Sequence, residues 1–499
     1  MDKIRLLYVE NVINRKKRVP RQELTFFLAL DNLDYDKKVD ILWAGEDGVW
    51  RTLAALYVGT PEPGQEYWQA RTGFRRTGKR PLPGNIRFCL RYESRGQVFW
   101  DNNHGRNHVS EADSGIRLAP GLTLLNSTHN MRLHEHQQSV PVTVIIDSSI
   151  QAEKVTVHWT TDNWRRIRKT SCRTQRNDAN KQTQAHKPFH HGAEIWKGRL
   201  QVGRAFRLQY SICYESRGRE LWDNNNGRNY AASHEPLKIL ILNLHCYQED
   251  HQDEKFSRIA KAITERAVDI VCLQEVAELW NNGQGDWNSN AARIINERLA
   301  TSFHLVTDWS HLGFDKYREG VAILSRYPLL NPESRYVSDS ADVYSIHSRK
   351  VIMAEVRVPY IGLLNVFSAH LSWWEDGFKG QFERLSEWAK SRRNAAVKAT
   401  LLCGDFNISA GSIGYGQVVE ANEYEDQYLA VNARGLFEKI FKVNDAHWGH
   451  LLADDYRIDY IFMNKAGELQ ATSAEALFTD RDYGRVSDHC GYLMTFEPK

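Results

Sequence analysis

The chain has no apolar run approaching the ~18 residues that would cross a bilayer, and its cysteines never stand in Cys-x-x-Cys spacing. The seven cysteines, Cys89, Cys172, Cys213, Cys246, Cys272, Cys403 and Cys490, are odd in number and scattered along 499 residues. They read as reduced thiols rather than a disulfide framework or a zinc site. Met1 to Glu10 has a short apolar stretch and no small-residue cleavage site, so it does not read as a secretory signal; the expectation is a cytoplasmic protein without a membrane partner. Helical periodicity is also missing, but only from about the first 235 residues. Charge is uneven in the same place. Residues 1–236 hold 37 Lys and Arg against 25 Asp and Glu, and the remainder 28 against 37, within a net charge of +3. An acidic second half argues against a general nuclease, which gathers positive field around its site to hold phosphate backbone.

At this length the chain exceeds one ordinary core, and the first half repeats. Tyr92-Glu-Ser-Arg-Gly-Gln-Val-Phe-Trp100-Asp-Asn-Asn-His-Gly-Arg-Asn107 recurs 122 residues later as Tyr214-Glu-Ser-Arg-Gly-Arg-Glu-Leu-Trp222-Asp-Asn-Asn-Asn-Gly-Arg-Asn229. Trp43 followed by Trp50 parallels Trp159 followed by Trp164. Alternating runs such as Val155–Trp159 and Phe206–Tyr210, broken by Gly, Pro and Asn, predict a small antiparallel β-sandwich for each copy, spanning 1–122 and 123–235. The repeated loop joins a flat aromatic face to several amides, a combination suited to covering the C–H face of a glucose and matching its vicinal hydroxyls. Asn-rich turns also bond their own backbone, and tryptophans fill sandwich cores.

Both copies resemble carbohydrate-binding module family 21, whose signature pairs an Asp-Asn-Trp segment with Trp-Asp-Asn-Asn-x-Gly-(Lys/Arg)-Asn-Tyr. The resemblance implies binding of starch- or glycogen-like α-glucan. The second copy fits through Asp162-Asn163-Trp164 and Trp222 to Tyr230; Trp164, Trp222, Asn224, Asn226 and Asn229 are its expected sugar contacts. The first copy, with Trp50, Trp100, Asn102 and Asn107, departs at Gly48-Val49-Trp50 and at His108 in place of the final Tyr.

From Leu237 strands alternate with amphipathic helices, predicting an α/β sandwich over 237–499. Strands are expected at Leu237–Leu244, Asp269–Gln274, Gly320–Leu324, Ile361–Ala369 and Thr400–Cys403, and helices at Lys255–Arg266 and Asn290–Leu299. Polar signatures end several of the apolar runs, where an α/β sheet presents groups to a crevice: Leu-Asn243-Leu, Leu-Gln-Glu275-Val, Ser-Ala-His370-Leu, Gly-Asp405-Phe-Asn407, Arg-Ile-Asp459-Tyr-Ile and Ser487-Asp488-His489.

In this order the signatures resemble the endonuclease/exonuclease/phosphatase superfamily, with its four-layer, deoxyribonuclease-I-like sandwich. Phosphoester cleavage near neutral pH needs a hard cation, an activated water and donors for phosphoryl charge. The resemblance implies Glu275, Asn243 and Asp488 around Mg²⁺ or Mn²⁺, since oxygen ligands suit a hard octahedral ion. It implies His489 as general base, Asp459 setting its tautomer, Asp405 orienting water, and Asn407 and His370 donating to non-bridging oxygens. Arg349 reads as an exposed strand-edge residue and is left out of this set.

The stretch Leu371-Ser-Trp373-Trp374-Glu-Asp-Gly-Phe378 beside His370 offers two tryptophans as a substrate platform. With Trp309 to Tyr317, it resembles the branch of the superfamily containing maltose 6'-phosphate phosphatase. The expected activity is a Mg²⁺-dependent hydrolase, a phosphatase of a phosphorylated α-glucoside. The alternatives are a nuclease or phosphodiesterase acting on nucleic acid, and a glycogen-docking protein with a degenerate catalytic domain.

Overall fold

The computed structural model describes residues 3–15, 19–78, 81–128, 131–174, 192–420, 423–432 and 457–499. It divides into two compact units, Met1–Glu235 and Pro236–Lys499. No helix among the described residues is long and apolar enough to cross a membrane.

The first unit is built from two antiparallel sandwiches. In the first, Ile4–Asn14 lies between Gly115–Leu118 and Arg21–Asp31, and the sheet continues through Gln65–Arg75 to Leu56–Glu62. Facing it are Trp50–Ala54, Lys37–Ala44, Ile86–Ser94 and Gln97–Asp101 in that order. Phe26, Leu28, Ile41, Trp43, Phe88 and Tyr92 alternate into the core between them. The second sandwich repeats the plan: Ala152–Thr160 and Arg207–Ser216 centre one sheet and Val140–Asp147 and Ala193–Leu200 the other.

Each of these sandwiches is not a separate bead. The run Glu23-Leu-Thr-Phe-Phe-Leu-Ala-Leu30 has no polar alternation because its strand is buried on both faces. Leu24, Phe26 and Leu28 enter the module's own core, whereas Phe27 and Ala29 turn outward. There they meet Leu125 and Ile145 of the second module, together with Leu7, Tyr8 and Tyr67. Burying a side chain the size of Phe27 contributes about 2–3 kcal/mol, so this shared cluster holds the pair as one body.

The second unit stacks two six-stranded sheets. One runs His304–Gly313, Tyr317–Ser325, Ile270–Leu279, Leu237–Asn243, Gly491–Pro498, Leu469–Leu477; the other runs Leu329–Tyr336, Lys350–Val358, Gly362–His370, Val397–Asp405, Asp459–Asn464, Tyr424–Asp426. Each has one parallel pair near its centre, Leu237–Asn243 with Ile270–Leu279 and Gly362–His370 with Val397–Asp405. Helices Gln252–Glu265 and Ala291–Glu297 cover the first sheet, burying Phe256, Ile259, Ile263 and Ile295, while Phe378–Ser391 packs Phe382, Leu385 and Trp388 on the second. The unit is a four-layer α/β sandwich of the deoxyribonuclease-I-like kind, with catalytic-type residues at the carboxyl ends of both parallel pairs.

Candidate active site

Asn243, His370 and Asp405 are the last residues of their strands, and Asp459 is the first of its own. The two sheets approach closely behind them. Gln274 donates from Nε2 to Ser368 Oγ at 3.1 Å, and Ser368 donates to Leu273 O at 3.2 Å. A Cβ at Gly404 would lie 2.1 Å from Ala369 O and 2.8 Å from Gln274 Nε2, so only glycine permits this approach.

Glu275 is aimed by a β-bulge. Between the pairs Leu273–Ala322 and Val276–Gly320, two residues oppose one, and Glu275 takes φ 48°. A non-glycine residue held there is strained, and the bulge redirects its side chain. Asn243 Nδ2 donates to Glu275 Oε1 at 2.9 Å and to Asp405 Oδ2 at 3.0 Å, so the two carboxylates converge on one amide.

Asp459 is fixed from the opposite side. Arg457 is buried against Asp426, sits over the rings of Tyr460 and Tyr428 at 4.5 and 4.7 Å, and donates to Asp459 O at 3.3 Å. Asp459 Oδ2 then accepts from His489 Nδ1 at 2.9 Å, leaving Nε2 facing Asp405 Oδ2 at 3.8 Å. Asn407 donates its backbone N–H to Asp405 Oδ1 at 2.8 Å and its side-chain amide to Leu371 O at 2.8 Å. The same amide stands 3.2 Å from His370 Nε2.

The electrostatics follow from burial. Desolvation pushes Glu275 up to about 7, with the nearby Glu319 charge adding to it, and pushes Asp405 up to about 7 with help from Asp459. Burial alone would strip the proton from His489, but the Asp459 carboxylate outweighs it and holds the imidazole well above its ordinary value. His370 moves the other way: burial first, then the Arg349 guanidinium, drive it well below the usual range. His370 is therefore neutral. Arg349 Nη1 stands 3.3 Å from His370 Nδ1 and the Asn407 amide 3.2 Å from Nε2, so a donor faces each ring nitrogen. Nε2 also faces Glu275 Oε1 at 3.9 Å and Asp405 Oδ2 at 3.8 Å.

Buried carboxylates that resist ionisation ask for a cation. Asp459 Oδ1 is buried and without a hydrogen-bond partner, and Asp405, Asp459 and His489 bring ligand atoms within 4.8 Å of one another. The oxygen-rich donor set fits a hard divalent ion. Asp488 stands in a second group: His245 Nδ1 lies 2.8 Å from Glu249 Oε1 and 3.5 Å from Asp488 Oδ1.

All eight residues expected at this site fall in one region, but the neighbourhood is wider than the motifs. Arg349, set aside as an exposed edge residue, instead turns inward, its Nε 3.3 Å from Ser372 Oγ. The buried pair His311–Glu319, at 3.5 Å, lies beside it; burial and Arg349 push His311 down to about 4. Neither residue carried a local signal, although His311 lies within the Trp309 to Tyr317 stretch. The tryptophan pair divides. Trp373 is 39% exposed, whereas Trp374 packs on the core beneath the second sheet's helix, its ring 6.2 Å from Phe378.

In the first unit, Trp50, Trp100 and Trp222 are exposed and Trp164 is half-buried. The expected equivalence of Trp50 and Trp164 fails on register. Trp43 pairs with Arg51 and Trp159 with Arg168, each guanidinium lying over its indole at 5.3 and 5.0 Å. Trp50 therefore occupies the place of Ile167, while Trp164 sits three residues earlier in a turn at φ 65°. That turn is self-bonded, Thr160 Oγ1 accepting from Trp164 N at 3.2 Å and Asp162 Oδ1 from Arg166 N at 3.0 Å.

Comparison with known proteins agrees with this division. Residues 242–489 match the Endonuclease/Exonuclease/phosphatase family and residues 126–233 the Carbohydrate/starch-binding module (family 21). The uncharacterized protein YbhP of Escherichia coli (strain K12) is 26% identical over 263 residues, 51% of this chain and 93% of that protein. Protein phosphatase 1 regulatory subunit 3E of Mus musculus is 40% identical over 82 residues, 16% of this chain and 27% of the mouse protein. A solved structure of an endonuclease/exonuclease/phosphatase family protein from Leptotrichia buccalis covers 52% of this chain and 99% of its own, at 26% identity and a TM-score of 0.46. The second unit thus belongs to the endonuclease/exonuclease/phosphatase family, and it follows a family-21 carbohydrate/starch-binding module.

Proposed function

We propose that the chain is a divalent-metal-dependent phosphatase of phosphorylated α-glucosides, acting on maltose 6'-phosphate or on phosphate esters of a glycogen- or starch-like glucan. The observation that carries this reading is the joining of a starch-binding module to a phosphoesterase-family site in one chain. The exposed Trp373, two residues beyond Leu371 at the site, adds an aromatic face suited to a sugar ring.

In this reading Glu275, Asn243 and Asp488 would hold Mg²⁺ or Mn²⁺, which when bound would supply Lewis-acid polarisation of a phosphoryl oxygen and would ease the carboxylate pull that keeps His489 protonated. His489 Nε2 takes a proton from water while Asp459 holds Nδ1–H at 2.9 Å. Asp405, 3.8 Å from the same Nε2, orients that water. His370, neutral, serves as the donor to a non-bridging oxygen, and Arg349 beside its Nδ1 adds positive charge. Asn407 holds the Asp405 carboxylate through its backbone N–H and braces His370 with its side-chain amide, which also bonds Leu371 O.

The test is a substrate panel. Purified protein with Mg²⁺ is given maltose 6'-phosphate, glucose 6-phosphate, phosphorylated amylopectin and plasmid DNA, with released phosphate and nicking both measured. Phosphate from maltose 6'-phosphate or amylopectin is expected. Rapid nicking with no phosphate from any sugar ester overturns the reading in favour of a nuclease.

A further inference from the structure

We infer that the preferred substrate is a phosphate ester within a sugar chain rather than a free disaccharide phosphate, and that the chain lies on an open apolar rim formed by Phe314, Tyr344, Ile346, Trp373 and Ile413. The inference rests on the sugar-phosphatase reading and chooses between its two substrates.

The rim is built from three loops of the second unit, and its five side chains are between 39% and 78% exposed. Scattered open apolar groups need no explanation, but a contiguous run of them beside a reactive site does. Contiguity is carried by bonds. Phe314 stands in the turn between His304–Gly313 and Tyr317–Ser325, and Leu312 just before it donates its N–H to Val343 O at 2.7 Å. Tyr344 follows at once, its ring 6.3 Å and 69° from that of Trp280. The same loop runs through Ile346 to Arg349, whose Nε lies 3.3 Å from the hydroxyl of Ser372, the residue before Trp373. Beyond it Trp374 packs on Gly414, where a Cβ would lie 3.1 Å from Trp374 Cε3, and Ile413 precedes that glycine. Arg349, with Nη1 3.3 Å from His370 Nδ1, therefore stands in the middle of the run. A phosphoryl group bound there has Ile346, Tyr344 and Phe314 to one side along the rim and Trp373 and Ile413 to the other.

These side chains are held open by the loop itself. Asp342 Oδ1 accepts from Tyr344 N at 3.0 Å, Ser348 Oγ donates to Asp342 O at 2.7 Å, and Arg349 N donates to Ser338 Oγ at 2.8 Å. Groups fixed in advance lose little entropy when a ligand covers them.

Charge narrows the occupant. The open acids Asp315, Asp342, Glu375 and Asp376 stand among the apolar groups, against the open Lys316 and Lys379. Such a border repels nucleic acid and an anionic membrane surface. It suits a neutral polymer that offers C–H faces to the apolar groups and hydroxyls to the carboxylates. The phosphorylated ring and one neighbour fill the space beside Arg349. Phe314 and Ile413, at the ends of the run, are reached only by further rings.

The test compares kcat/KM on maltose 6'-phosphate with that on a maltoheptaose phosphorylated at an internal glucose. All chains are full length and carry Trp222→Ala, which removes docking by the second module from the comparison. This parent should prefer the longer substrate about 10-fold; Tyr344→Ser and Ile413→Ser should each lower the preference about 3-fold, and the double variant should remove it. Tyr344→Phe, which keeps the ring, should retain it. Equal kcat/KM on the two substrates in the parent, or a preference that survives both substitutions, overturns the rim. An unchanged preference in a double variant that has lost binding to phosphatidylcholine vesicles gives the rim to a lipid surface instead. Phosphate from neither sugar ester overturns the sugar-phosphatase reading itself.

Discussion

The asparagine-rich loops of the first unit and the buried cleft of the second use the same residue types, Asn, Asp, His and Trp, to opposite ends. In the loop Asn224–Asn229 the polar groups satisfy one another, and the exposed Trp222 face is left for a ligand. In the cleft, Glu275, Asp405, His370 and His489 are gathered where water is scarce, and each is moved far from its ordinary protonation. The loop geometry tolerates substitution because it is held by backbone bonds and one anchor: Tyr230 bonds Asp223 in the second module and His108 bonds Asp101 at the matching place in the first. Reactive sites do not, since every charge there is balanced against its neighbours.

The contrast can be broken most sharply in the cleft. Glu275→Gln should lower phosphate release by about 10³-fold or more while leaving amylopectin retention untouched, because it removes a ligand charge without changing shape. Release measured beside a native amylopectin gel checks both halves. Asp459→Asn should cost about 10²–10³-fold in kcat by letting His489 adopt the wrong tautomer, with a Tm close to the wild type. A variant as fast as the wild type would remove Asp459 from the mechanism. Arg349→Met should lower kcat/KM about 10²-fold and change the pH profile, since His370 then loses the cation that keeps it neutral.

Stability carries a smaller signature of the same imbalance. Glu275 and Asp405 are each raised to about 7, so the folded chain keeps protons that the unfolded chain has released. The stability they contribute is full below the unfolded carboxylate values and is lost as pH rises through about 7; raised His489 acts in the same direction. The metal-free protein should lose about 2 kcal/mol for each of these two carboxylates between pH 5 and 7.5, and added Mg²⁺ should raise Tm more at pH 7.5 than at pH 5. The smallest effect is expected on the other side of the comparison: Trp222→Ala should leave hydrolysis of maltose 6'-phosphate within about 2-fold while lowering release from amylopectin through lost effective concentration.

Much of this site was legible because catalytic groups at strand ends interrupt apolar runs, and Asn243, His370 and Asp405 stand at such interruptions. Glu275 was legible as a residue but not as a bulge, since its φ is imposed by pairing with the Tyr317–Ser325 strand. Arg349 was misread because the direction of a residue just before a strand depends on which sheet faces it. His311 and Glu319 meet only across two strands, so their pairing has no local pattern. The repeat exposed two modules, yet spacing alone paired Trp50 with Trp164, because the second copy's turn is one residue longer and carries its tryptophan three residues before the returning strand position. Shared burial between modules was written in the unalternating Phe26-Phe27 strand, which also fits a deep core within one module.

The most direct test of the central claim is Mn²⁺ binding followed by electron paramagnetic resonance in the wild type, Glu275→Gln and Asp488→Asn. The assignment of Glu275, Asn243 and Asp488 as ligands predicts a Mn²⁺ site in the wild type that either substitution abolishes or weakens at least about 10-fold. Wild-type affinity in both variants would contradict it.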